Sequence, residues 1–501
     1  MRPRSSAPES SAAALRAAAP IAALAAAAAA LALALAPAAP PARAQEAPAA
    51  AESAAKSIRR GLDWLVTKQN ANGSFGVVPG APEPGEPGVT GLAIRALARA
   101  PAAARTEAHQ AALDKAVAHL LALQQEDGSF ALPGTGLTTY RTAIGIMALI
   151  AVDAKKYAEP IRRGRDFLVS TQFSETHGLE GGDPKKSPHY GGFGYDATGT
   201  RPDADMSNGQ FALDALRQAG LDPSSETFKR AQLFLSRCQN RSESNDLRPA
   251  GISIGDDGGF MYDPALDTGK SEPVELPTGE VRIPSYASVT YMGLMSLLHA
   301  NVSKDDARVK AAYGWIRSNY TLDENHGLGT RRNPKGGKQG LYYYYHVFAK
   351  ALAAWGEPFV ATPDGIEHVW SEELIARLVS LQKPEGYWVN DEPRWWENDP
   401  TLVTCYSLLA LEIANENLPE GAGAAPGGKK VGEAPAGGGG APAAAGHAAR
   451  CCREMMHTME LKMCQACGAE GASCKLCADC AAAGGECPHC RAKTGGKPGE
   501  R

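Results

Sequence analysis

"LLALQQEDGSF" occupies residues 120–130: a leucine-rich helix end that runs into glutamine, an acid, glycine, serine and phenylalanine. Nearly the same phrase stands at 64–76, "WLVTKQNANGSFG", and at 378–388, "LVSLQKPEGYW". Looser copies are "FLVSTQF…GGFGY" (167–195), "FLSRCQN…DGGFMY" (234–262) and "WIRSNYTLDENHGLG" (315–329). Before each glutamine the apolar residues recur every three or four positions: Ile58, Leu62, Leu65 and Val66; Leu113, Val117, Leu120 and Leu121; Leu374, Ile375, Leu378 and Val379. That spacing lines one face of a helix. Glycine then supplies the left-handed residue that stops the helix, glutamine can satisfy backbone groups left open there, and the aromatic packs back on the turn.

A second helix follows every phrase: 88–98, 138–150, 203–220, 285–298, 341–355 and 400–413. Their second halves are apolar and their first turns carry Thr, Ser, Asp, Asn and Tyr. Helical hairpins repeated at this period stack as a solenoid or close as a ring, and six close well. The expected fold is therefore all-α: an α/α toroid over 52–418, with six inner and six outer helices.

The Gln-x-x-Asp-Gly-(Ser/Gly)-(Phe/Trp) phrase at a helix–helix turn resembles the repeat of squalene and oxidosqualene cyclases and of protein prenyltransferase β subunits. The resemblance covers the whole of 52–418. It marks the fold strongly and the function weakly. A prenyltransferase of that kind holds zinc through Asp, Cys and His at the heads of inner helices. Here Gln339, Leu341 and Val403 stand at those places, so the resemblance implies no protein prenylation. A cyclase of that kind donates a proton from the middle Asp of Asp-x-Asp-Asp-Thr-Ala. This chain has "DADMSN", so the resemblance points to Asp205 as the acid with Asp203 beside it, and Met206 departs from the pattern. Helix N-capping is the competing reading of those aspartates.

Six helix heads gathered at one mouth would favour an anion there. Expected ligand contacts at that mouth are Tyr140, Arg141, Tyr286, Tyr291, Tyr342, Tyr345, His346 and Tyr406, beside a basic loop, 329–340. Core packing is the competing reading for each tyrosine, and four consecutive tyrosines (342–345) cannot all face inward, since helix neighbours point about 100° apart. The stretch 386–400, with Trp388, Trp395 and Trp396 among Asp391, Glu392, Glu397 and Asp399, would suit a polysaccharide-active toroid. The favoured function is cyclase-like handling of an isoprenoid or other apolar small molecule. The alternatives are a non-catalytic scaffold that binds another protein, and the sugar-active enzyme.

The ends differ from the middle. Arg2, Arg4 and Arg16 precede an apolar run, 17–36, and Ala42-Arg43-Ala44 offers a cleavage site, so 1–44 reads as an export signal, with an uncleaved anchor and hence membrane proximity as the alternative. The protein is expected in the periplasm or secreted. Residues 419–450 read as a Gly/Ala/Pro linker. Of eleven cysteines only Cys238 and Cys405 precede residue 450; the other nine lie at 451–490. Cys464, Cys467, Cys474, Cys477, Cys480, Cys487 and Cys490, in paired CxxC turns, suit a zinc-binding module over 451–492, with disulfides as the rival. A net charge of −4 and the lack of a long basic block argue against nucleic acid as a partner.

Overall fold

The computed structural model describes residues 43–78, 85–132, 135–179, 182–196, 203–247, 249–265, 270–419 and 429–430. The expected leader before Arg43 and the cysteine-rich module lie outside them. Among the described residues, twelve α-helices alternate between two rings. The outer helices are α1 (Arg43–Val66), α3 (Glu107–Ala122), α5 (Ala158–Ser170), α7 (Glu226–Cys238), α9 (Ala307–Ser318) and α11 (Trp370–Leu381). The inner helices are α2 (Pro87–Arg99), α4 (Thr138–Asp153), α6 (Met206–Gln218), α8 (Ala287–His299), α10 (Leu341–Trp355) and α12 (Pro400–Glu416). Successive inner helices touch, and α12 touches α2, so the inner ring closes into an α/α toroid. The inner helices are buried almost all round, whereas the outer ones bury one stripe, such as Leu113, Val117 and Leu120 on α3.

The repeated phrase builds the joints. The side-chain amides of Gln69, Gln124, Gln172, Gln239 and Gln382 each donate to the glycine carbonyl of their own phrase at 2.8–3.1 Å. Each also donates to a carbonyl of the neighbouring outer helix, at Ala112, Pro160, Thr227, Arg308 and Ser57, at 2.7–2.9 Å. The Gln382 bond to Ser57 joins the last outer helix to the first. Glutamine thus rivets helix to helix around the circumference, a role beyond satisfying its own helix end.

Glycine answers a second need as well. At Gly191 (φ +87°) a Cβ would sit 2.0 Å from the carbonyl oxygen of Arg230, and at Gly258 (φ +82°) 2.6 Å from that of Ala311. In both cases the blocking carbonyl lies three residues beyond the one that glutamine binds, so the turn must press directly on the neighbouring helix. The aromatic of the phrase packs between the rings, on the inner helix. Backbone N–H groups of Phe75, Phe130, Phe260 and Trp388 donate to Thr90, Thr142, Thr290 and Thr404 there at 2.9–3.1 Å.

The sixth phrase departs from this. Asn319 stands in place of glutamine and donates to Trp315 of its own helix. The neighbouring joint uses a hairpin instead, β3 (Phe359–Ala361) with β4 (Ile366–Val369), after the short pair β1 (Val274–Glu275) and β2 (Val281–Arg282). Arg317 of α9 binds the Ala361 carbonyl, and the Tyr320 hydroxyl donates to Glu373 of α11. Within the stretch read as linker, β5 (Lys429–Lys430) pairs antiparallel with β4.

Candidate functional site

Inner-helix heads gather at one end of the ring, and the protein's own acceptors occupy them. Glu86 caps α2, accepting from Val89 N, and Asp399 caps α12, accepting from Thr401 N. Asn325 accepts from Ser288 N at the head of α8. Glu397 reaches across to α10: its carboxylate accepts from Tyr343 N at 2.7 Å and from Asn390 Nδ2 at 2.6 Å. Asp205 caps α6; Oδ1 accepts from Ser207 N (2.7 Å) and Asn208 N (2.9 Å), and Oδ2 from Asn208 Nδ2 (2.7 Å). Four heads thus meet a carboxylate and one the Asn325 amide, which argues against an anion there, while α4, behind Leu137, has no side-chain cap.

The expected basic residues are paired too. Arg141 is buried, with its guanidinium on Glu86 at 2.7 Å and on the Gly136 carbonyl. In the 329–340 loop Arg332 pairs with Glu272, and Lys335 with Glu392. In the 386–400 stretch Trp388 is fully buried, donating to the Leu378 carbonyl, and Glu397 and Asp399 accept at helix heads, whereas Trp396 is exposed.

Two of these carboxyls titrate unusually. Burial pushes Asp205 up to about 6 against the pull of its donors, among them the Tyr262 hydroxyl. Burial likewise pushes Glu397 up to about 7 against the N–H groups of α10. Around Asp205 the wall is aromatic. The Tyr195 and Tyr262 hydroxyls lie 2.8 Å apart, and the Lys270 ammonium sits 4.7 Å from the Tyr262 ring and 5.9 Å from that of Trp395.

Deeper in, side chains span the lumen. The Tyr343 hydroxyl is 3.1 Å from Ser207 Oγ and donates to Met292 Sδ, tying α10 to α6 and α8. Its ring lies 5.5 Å from Tyr406 and 6.2 Å from Phe211. Tyr140 stands edge-on to Phe211 and meets the Tyr406 hydroxyl at 3.5 Å, from α4 to α12. His346 stacks on Tyr406.

Of the expected contacts, Tyr140, Tyr406 and His346 face this interior, and Tyr286 is buried at the head of α8 within the field of Asp205 and Tyr343. Tyr342, Tyr345 and Tyr291 do not reach the lumen. Tyr345 donates to the Leu322 carbonyl and receives Arg377 of outer α11; Tyr342 packs on Tyr345. Tyr291 packs with Tyr344 and Phe348, which abut the outer layer at Tyr320 and Trp370. Asp203 lies against Gly194.

Several residues of the mouth escaped the sequence reading. Tyr195 and Tyr262 each stand two residues past the aromatic of their phrase, "GGFGY" and "GGFMY", and that shared offset was a signal. Tyr343 and Glu397 stood within stretches the sequence singled out, 342–345 and 386–400, but only the packing decides which of four tyrosines turns inward and which carboxylate reaches a distant helix head. Among the described residues no group of three or more His, Cys, Asp and Glu is placed to hold a metal. The expected zinc ligands lie outside the described residues.

No protein family and no curated protein matches the chain by sequence. Among solved structures it is similar to type II terpene cyclase MstE from Scytonema, at 14% identity and a TM-score of 0.42, over 73% of this chain and 99% of that one. A variant of that enzyme in complex with geranylgeranyl dihydroxybenzoate, its substrate, gives 14%, 0.43, 74% and 99%. A protein from Actinoplanes gives 17%, 0.42, 72% and 99%. The ring architecture described above is read from this chain's own helix contacts.

Proposed function

We propose that the mouth of the ring holds an apolar, isoprenoid-class small molecule and performs cyclase-like proton chemistry on it, with Asp205 as the acid. The observation that carries this reading is a fully buried carboxyl at about 6 set in an aromatic wall. At pH 7 roughly one Asp205 in ten holds its proton, enough for a general acid whose proton is replenished from solvent. Protonation of an alkene carbon uses its π pair to form the new C–H bond and leaves carboxylate on Asp205, which Asn208 and the Tyr262 hydroxyl are placed to stabilise. The faces of Tyr343, Tyr406 and Phe211 can then hold the cation, and loss of a proton closes the sequence.

A second reading has its own support. Tyr140, Tyr343 and Tyr406 cross the lumen and fill it, as befits a rigid scaffold for another protein. Export to the periplasm or medium and a zinc-binding tail complete the proposal. Native mass spectrometry of the purified full-length protein, with and without chelator, separates these readings. A retained isoprenoid-sized molecule supports the ligand site. An empty ring with chelator-labile zinc in the tail favours the scaffold, and zinc-free protein removes the metal module. Asp205→Asn should abolish turnover and leave retention of the molecule intact.

A further inference from the structure

The opposite end of the ring holds a site of a different kind. Four of the six inner helices carry an ionisable residue inside an apolar stretch: Arg95 in "GLAIRALA", Asp214 in "FALDALR", Lys350 in "FAKALAAW" and Glu412 in "LALEIA". The ring brings all four together in its interior, and all are at least nine-tenths buried. Lys350 and Asp214 pair at 2.7 Å, and Arg99 and Glu416 pair nearer the rim.

Arg95 has no such partner. It is 4% exposed, makes no hydrogen bond or ion pair among the described residues, and its Nη1 is buried without an acceptor there. Both carboxyl oxygens of Glu412 are likewise buried without a donor. A buried guanidinium left open is costly, and its persistence needs an explanation. Arg95 lines a cavity of about 230 Å³ together with the charged Lys350 and Asp214 and the apolar Met295, Ile413 and Ala354.

The geometry points to a binding site for a small monocarboxylate with a compact apolar body, its carboxylate on Arg95 and its body against Met295, Ile413 and Ala354. The planar fork of arginine matches a carboxylate in two parallel bonds. Among the residues that line the cavity, Asp214 pairs with Lys350 and Glu416 with Arg99, which leaves Arg95 as the basic side chain there without an ion pair. Burial pushes the Glu412 carboxyl well above the ordinary carboxylate range and the His299 imidazole down. Size agrees, since a cavity of roughly 150 Å³ accepts benzene.

The test uses the full-length chain and benzoate, with benzyl alcohol as the uncharged counterpart and inorganic phosphate as the competing anion, by calorimetric titration. Benzoate should bind saturably, benzyl alcohol should bind at least about tenfold more weakly, and Arg95→Met should weaken benzoate by a similar factor. Because methionine replaces an unpaired buried charge by a side chain of similar length, the variant should keep its unfolding temperature. Should that variant fail to fold, Ala354→Phe fills the apolar side instead and should block benzoate. Benzoate binding that survives either change, no saturable binding up to about 10 mM, or tighter binding of phosphate than of benzoate would each overturn the assignment.

Discussion

The two ends of the inner ring handle charge differently. At the helix heads stand carboxylates, Glu86, Asp205, Glu397 and Asp399, each on backbone N–H groups. At the helix tails both signs are mixed, Arg95, Arg99 and Lys350 beside Asp214 and Glu416. The carboxylates at the heads carry the sign that complements the dipoles pointing at them. The heads are thereby spent, and their anion-attracting field is used up inside the protein. At the tails Arg95 stands outside the two ion pairs, so the end where dipoles disfavour an anion is the one with a guanidinium left open. Ring architecture alone does not place a ligand; what matters is which charges remain after the protein has answered its own.

The contrast can be broken most forcefully at the tails. Asp214→Ala strands the Lys350 ammonium in the interior and should cost about 3–5 kcal/mol, whereas Asp214→Leu with Lys350→Met should recover most of it. Urea unfolding measures both, and an inexpensive single variant would mean that water already reaches the pair. Next in size is a change that belongs to neither end. Gln239→Ala leaves the carbonyls of Gly258 and Arg308 without their donor and should cost about 1–3 kcal/mol with the chemistry of both ends unaltered.

The third test is pH. Asp205 and Glu397 have folded values raised to about 6 and about 7, so the folded chain keeps protons that the unfolded chain releases in this range. Stability should therefore fall as pH rises from about 4 to about 7 and level off above. Asp205→Asn with Glu397→Gln should flatten that slope in a series of melting curves. Asp214, held well below the usual carboxylate range by Lys350, His299 and Arg95 against the opposing effect of burial, acts in the other direction. Its contribution is present above the ordinary carboxylate value and is lost only as pH falls further into acid. A variant lacking both head carboxyls that still destabilises between pH 4 and 7 would place the titration elsewhere.

The smallest effect is expected from Asp205→Asn alone. Asparagine caps helices about as well as aspartate, so stability should move by less than about 1 kcal/mol. Turnover, if the proposed chemistry holds, should vanish. A variant that keeps full activity would reduce Asp205 to a cap.

Much of this was legible in the chain. The six inner helices begin and end within a few residues of where periodicity places them, and the phrase marks five joints that the amides of Gln69, Gln124, Gln172, Gln239 and Gln382 fasten. Asp205 was recognised together with its N-cap role. Neighbouring tyrosines on α10 differ by a rotation that sequence leaves open, so of the four at 342–345 the sequence favoured Tyr342 and Tyr345, which face outward, over Tyr343, which faces the lumen. The charges at the tails left a readable trace, one ionisable residue in each of four apolar helices, whose meaning emerges only when the helices are brought together.

What the sequence by itself determined is the repeated hairpin and its joints, because helix periodicity, a left-handed glycine and a two-handed amide act over a few residues or between immediate neighbours. Tertiary structure alone decided which side chains cross the lumen and which charges are left unpaired. Those outcomes depend on helices far apart in the chain, and on whether each buried charge finds its partner across the ring.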